Sequence, residues 1–199
     1  MIEITTNEEA IKQLAKALEN NTKLLKRDIN TALNATARHL KSQWAIEISN
    51  ETTLTQKIIK ETIKQELARA GGEAKAAVSQ KKSSRVSLKE YKATQTKKGV
   101  SYRINKGAKG SKKLLLANSF IWAKNGHVFT RGGAKRVMKK GRYVGKMRQP
   151  IVKRFGPSPF ETTQKREIPV KLIHLGIARL LEELKKRIRF RTLRASGAI

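Results

Sequence analysis

The sequence predicts an α+β fold, with N-terminal helices, a small antiparallel β-sheet with long basic loops, and a C-terminal helix. Three observations carry this. Apolar residues recur at helical spacing before residue 70 and again after residue 160. From Ala74 the period drops to two, as in half-buried strands. Between these zones, Tyr91 to Phe160 holds nineteen Lys and Arg and no Asp or Glu, with two hairpin signals inside it.

The first helix is expected at Thr6, whose spacing to Glu9 is that of a capping box, with Ile11, Leu14, Ala15 and Leu18 as its stripe. Asn20 and Asn21 break it. Leu25, Ile29, Ala32, Leu33, Leu40 and Trp44 then predict a longer helix to about Glu47. The hydroxyl-rich turn from Ser49 to Thr55 leads to a third helix carrying Ile58, Ile59, Ile63 and Leu67, closed by Gly71 and Gly72. Ala74, Ala76 and Val78, then Val86 and Leu88, alternate as strands. Lys97, Lys98 and Gly99 turn one hairpin between Tyr91–Thr96 and Val100–Ile104; Asn125 and Gly126 turn another between Phe120–Ala123 and His127–Arg131. Lys106 to Lys113 and Gly132 to Lys146 lack periodicity and are expected to be loops or arms, ordered against a partner. Pro150 to Phe155 is a strand candidate stopped by Gly156, Pro157, Ser158 and Pro159. A last helix starts near Pro169 and runs through Leu172, Ile173, Leu175, Ile177, Leu180, Leu181, Leu184 and Ile188. The chain reads as one domain over 1–199: a helical region 1–70, a basic β region 74–160, a C-terminal helical region 161–190 and a frayed tail 191–199.

The charge is local. Residues 1–70 hold eleven bases and nine acids and residues 161–199 ten and four, whereas from Ala74 to Phe160 twenty-four bases face the lone Glu90. A net charge of +30 implies strong, salt-sensitive and largely sequence-blind attraction to nucleic acid. There is no cysteine, which excludes disulfides and thiolate metal sites. The N-terminal segment lacks the apolar stretch of a signal peptide, and no run approaches the ~20 apolar residues of a membrane span. No membrane partner and a cytoplasmic site of synthesis are therefore expected.

Signals for catalysis are sparse. Asp28 is the only Asp, and a two-metal nuclease or polymerase needs clustered carboxylates. His39, His127 and His174 lack metal-ligand spacing and read as ordinary imidazoles. The GAKGSK run from Gly107 to Lys112 lacks the spacing of a phosphate loop and reads as a flexible basic loop. No enzyme activity, metal or cofactor is expected. The candidate contacts to nucleic acid or a partner are the loop cations Lys106, Lys109, Lys112, Lys113, Lys135, Arg136, Lys139, Lys140, Arg142, Lys146 and Arg148. The alternative is a solvated face, or one answering acidic neighbours in an oligomer. Tyr102, Phe120, Trp122, Phe129 and Tyr143 could stack on bases, but strand placement favours core packing.

Four short segments carry a family resemblance over about residues 8–190. Ile29, Asn30, Ala32 and Ala35 to Ala37 form an INxAxxxA-like run, and Glu51, Thr52 and Leu54 an ET-L-like segment before Lys57 and Ile58. Phe120 and Ile121 turn at Gly126 into Val128, Phe129 and Arg131. Gly141 and Arg142 lead to Pro150 and Ile151, then to Gly156, Pro157 and Ser158. This order resembles the minor tail protein Z family of long-tailed phages and prophages. The resemblance implies a virion protein at the head-proximal end of the tail, needed for tail completion and head-tail joining and present in the host cytoplasm during assembly. It implies a homo-oligomeric ring, hexameric by the sixfold plan of tails, with other tail or neck proteins and double-stranded DNA as partners. A nonspecific nucleic-acid-binding or packaging protein is the alternative.

Overall fold

The computed structural model describes residues 2–5, 22–82, 85–106, 112–164 and 167–195. Its elements run β1 (Ile2–Thr5), α1 (Thr22–Glu51), α2 (Gln56–Thr62), β2 (Ile63–Glu66), β3 (Lys75–Gln80) and a 3-10 turn (Leu88–Tyr91). Then come β4 (Thr94–Thr96), β5 (Gly99–Tyr102), β6 (Leu114–Ala117), β7 (Ser119–Ile121), β8 (Val128–Arg131), β9 (Arg136–Val137), β10 (Met147–Arg148) and β11 (Ile151–Lys153). Two helices, α3 (Pro159–Gln164) and α4 (Ile168–Ala195), close the chain. The architecture is α+β, as the periodicity predicts.

Helix α1 is the spine. Ile29, Leu33, Ala37, Leu40, Trp44 and Ile48 are all buried, and the alanines between them let other elements come close. Helix α4 lies antiparallel along it: Lys171 near the start of α4 meets Glu47 at 3.2 Å, while Arg191 near its end pairs with Asp28 and donates to the Leu24 carbonyl at 3.1 Å. Midway, Gly176 faces Leu40. Ile168, Leu172, Leu180 and Leu184 fill the seam.

Against α1 sits the first sheet, in the order β1-β3-β2, antiparallel throughout. Asn34 of α1 holds the end of β2 reciprocally, accepting from the Ala68 amide at 2.7 Å and donating to its carbonyl at 3.0 Å, and Asn30 donates to the Arg69 carbonyl at 3.1 Å. The asparagine of the INxAxxxA-like run is thus a backbone clamp. A buried polar chain joins four elements: Trp44 Nε1 donates to Thr163 Oγ1 at 3.2 Å, Thr163 Oγ1 donates to Gln80 Oε1 at 3.0 Å, and Gln80 Nε2 donates to Thr62 Oγ1 at 3.2 Å. Thr163→Val keeps the shape and strands the indole N–H. It is expected to cost about 2 kcal/mol, seen as a fall of roughly 4–8 °C in thermal melting.

Several expectations are corrected. The third helix stops at Thr62 and the chain continues as β2, because Ile63 to Glu66 pair with Gln80 to Ala77 along the free side of β3. Leu67, expected on the helix's apolar stripe, is exposed. Val86 and Leu88 are buried, but only Ser87 bridges, to Phe155; the next residues coil into the 3-10 turn so that Tyr91 enters the core beside Leu88. Strands β1 and β6 were not predicted. Of the tail expected from residue 191, residues 191–195 form the last turn of α4, anchored by Arg191, and the rest lies outside the described residues. The sheet is divided into β1-β3-β2, β4-β5-β6, β7-β8-β11 and the pair β9-β10. The Thr6–Glu9 helix lies outside the described residues. No helix among the described residues is long and apolar enough to cross a membrane.

Candidate nucleic-acid and partner interface

The basic region is built on one long hairpin. Strands β8 and β11 pair at its root through Arg131–Ile151, Thr130–Val152 and Phe129–Lys153. Beyond them β9 and β10 pair through Val137–Met147 and Arg136–Arg148. Four residues, 132–135, oppose only Gln149 and Pro150 at the junction, where the Gly132 amide donates to the Pro150 carbonyl at 3.2 Å. The extra residues interrupt the ladder as a bulge does. Pro150, which cannot donate to a ladder, sits where the ladder is broken.

Within the predicted loop over Gly132 to Lys146 only Arg136 and Val137 are strand, pairing with Met147 and Arg148 to form a short two-stranded ribbon; the rest is loop and turn, as expected. Lys135, Arg136, Lys139, Lys140, Arg142 and Lys146 are exposed on it, and every residue from 139 to 147 faces solvent. Arg148 lies over the Tyr143 ring, 3.5 Å from its centroid. Arg136 and Arg148 stand directly opposite each other, a like-charge arrangement that destabilises a strand pair unless an anion lies between. The other face carries Val137 and Met147, both more than half exposed.

The remaining candidates divide. Lys106 is occupied structurally: its ammonium donates to the Ser49 carbonyl at 2.6 Å, near the C-terminal end of α1 where backbone carbonyls are free. Lys112 and Lys113 are exposed just before β6, and Lys109 lies outside the described residues.

At the root, strand alternation decides which side chains look out. Val128 and Thr130 of β8 and Ser119 of β7 are buried, and Ser119 accepts the Val100 amide at 2.9 Å, joining this sheet to β5. Phe120 pairs with Phe129 on the opposite face. Their rings stack at 6.1 Å between centroids, and Trp122 meets Phe129 edge-on at 5.5 Å. Arg131 lies 5.8 Å above Phe120, and Lys153 lies 5.3 Å from Phe155. Trp122 is 45% exposed and Phe155 43%. The expectation that the strand aromatics pack into the core is thus corrected for Trp122, which is exposed, and for Phe120 and Phe129, which are half-buried; Tyr143, in the predicted loop, is exposed. Tyr102 packs against the core edge. Phe155, the third exposed aromatic of the region, was missed; its offset of two from Lys153 within the predicted strand Pro150 to Phe155 was the available signal.

Several of the motif residues around this face sit at turns and caps. At the β7–β8 turn the amides of Asn125 and Gly126 donate to the Trp122 carbonyl, and Gly126 takes a φ of +67° that disfavours a side chain. Nearby, Ser87 Oγ and His127 Nδ1 are 3.1 Å apart. Burial, then the charges of Lys153 and Lys89, hold His127 below its ordinary range. Ile151 is an exposed outer residue of β11. Gly156 lies against the Tyr91 ring, whose hydroxyl donates to the Pro157 carbonyl at 2.6 Å. Ser158 caps α3: its hydroxyl accepts the Phe160 amide at 3.3 Å, with Pro159 at the first helical position.

Among the described residues no three His, Asp or Glu side chains lie together where a metal could bind. No protein family, curated protein or solved structure matches this chain.

Proposed function

We propose that this protein is a non-enzymatic structural subunit of a phage tail, acting at the head-proximal end in tail completion and head-tail joining. The proposal rests on the resemblance to the minor tail protein Z family. The observation that carries its mechanism is the acid-free ribbon β9–β10, which stands out from helical regions that carry acids as well as bases. In this reading copies of the body form the ring, hexameric by the tail's sixfold plan, and the ribbons clasp a neighbouring ring or the DNA that ends there. A two-stranded ribbon standing alone in water is marginal, which favours a partner along it.

The test is genetic. Removing the gene from the phage genome should leave heads and tails that fail to join, or joined particles that do not infect, with rescue when the protein is supplied. Unchanged particles of full infectivity would sink the proposal. The second reading, a free nucleic-acid-binding protein, is favoured by the aromatic face of β7-β8-β11. The two separate by backbone protection over residues 132–148: protection by DNA alone favours the second, and protection only in assembled tails the first.

A further inference from the structure

We infer that the outer face of β7-β8-β11 is a stacking platform for unpaired bases of single-stranded nucleic acid, a binding site distinct from the phosphate-seeking ribbon. The inference goes beyond the tail reading and stands whether or not that reading holds.

The face presents Phe120, Trp122, Phe129 and Phe155 with Arg131 and Lys153 set among them. Across one register row Phe120, Phe129 and Lys153 are neighbours; across the next, Arg131 stands beside Ile151. Aromatic and cationic groups thus lie side by side on one face of the sheet, on strands about 4.8 Å apart. A single strand offers the matching chemistry, flat bases for the rings and phosphates for the cations. Duplex bases are already stacked on each other and cannot reach a flat sheet, so the rings add little for a duplex.

Charge argues the same way against a second copy meeting face to face, which would bring Arg131 and Lys153 onto their own kind. There is no Asp or Glu between Tyr91 and Phe160 to relieve that meeting. The apolar residues here are mainly rings. The face is also continuous with the cationic ribbon, since β8 leads into β9 and β10 into β11, giving a strand held at the root a cationic path outward.

Two tryptophans make the test direct. Trp44 is 3% exposed and bonded to Thr163, so it reports little from solvent, whereas Trp122 lies on the face. A 20-nucleotide oligo(dT) should quench Trp122 emission at about 0.5 M salt, where phosphate contacts are largely screened, while a duplex of equal length should not. Read by anisotropy of a labelled oligo(dT), Trp122→Leu and Phe155→Leu should each weaken binding about tenfold at that salt. Both positions are exposed, so the fold should survive; unchanged far-ultraviolet circular dichroism checks it. Three results would overturn the inference: equal affinity for duplex and single strand at 0.5 M salt, variants that bind oligo(dT) as the parent does, or quenching that follows protein concentration without nucleic acid. The last would make the face an interface between copies.

Discussion

Replacing Gly156 with alanine is expected to destabilise the protein by about 3 kcal/mol, lowering its melting temperature by roughly 6–12 °C. An alanine methyl would lie 2.3 Å from Cε2 and 2.6 Å from Cδ2 of Tyr91, closer than carbon atoms can approach. The ring has nowhere to go, being 1% exposed and tied by its hydroxyl to the Pro157 carbonyl. The backbone is equally held, because the Gly156 amide donates to the Val86 carbonyl at 2.9 Å and Phe155 bridges Ser87. The damage should concentrate in the β region, loosening the root of the hairpin before the α1–α4 pair. Trimming the ring in Tyr91→Leu should make the second substitution cheaper, so the double variant should be more stable than the sum of the singles predicts. Tyr91 also sets an alkaline limit. Burial, and then the charge of Glu161, raise its pKa well above the ordinary value near 10. With the folded value raised, its contribution is complete below pH 10 and is lost as the pH climbs beyond, by up to about 1.4 kcal/mol per pH unit. Tyr91→Phe gives up one hydrogen bond, about 1 kcal/mol at neutral pH, and should flatten that alkaline slope. Denaturant titrations at pH 8 and pH 11 on both proteins check it.

How far such contacts are legible in sequence depends on their range. Asn125–Gly126 and Lys97–Lys98 announced their hairpins because a turn is decided by the residues that make it. Helices α1 and α4 were legible because their stripes repeat over seven or eight turns. Strand β2 was not, since Ile59 and Ile63 are buried under either period and only pairing with β3 decides. Strand β1 depends on Val78, 76 residues beyond its partner Ile2. At the candidate interface, the surplus of charge was plain, but its sorting was not. Lys106 resembled every other loop lysine until the end of α1 came within reach of it. The role of Gly156 likewise lies with Tyr91, 65 residues earlier; local spacing shows only a turn. Alternation places Phe120 and Trp122 on one side of their predicted strand, and the β7–β8 register adds Phe129 to it. Which side faces water is set by Val128, Thr130 and Ser119, buried on the other.

The largest effect on binding is expected from the ribbon. Changing its seven cations, Lys135, Arg136, Lys139, Lys140, Arg142, Lys146 and Arg148, to glutamine should reduce the salt dependence of duplex DNA binding. The slope of log K against log salt should fall by about 0.9 for each cation that had reached a phosphate, up to about 6. Net charge alone would also attract DNA, so the control must remove the same charge elsewhere. Lys57, Lys64, Lys81, Lys82, Lys97, Lys98 and Lys185 are exposed and lie off the ribbon. Changing these seven should weaken the long-range field equally while leaving the slope nearly as it was. The comparison therefore separates attraction by the molecule as a whole from contact by the ribbon. Because Arg136 and Arg148 repel across the strands, the ribbon variant should be no less stable than the parent in the absence of DNA. Equal slopes for the two variants would remove DNA as the ribbon's partner; joined to failed head-tail assembly by the ribbon variant alone, they would assign the ribbon to a neighbouring ring.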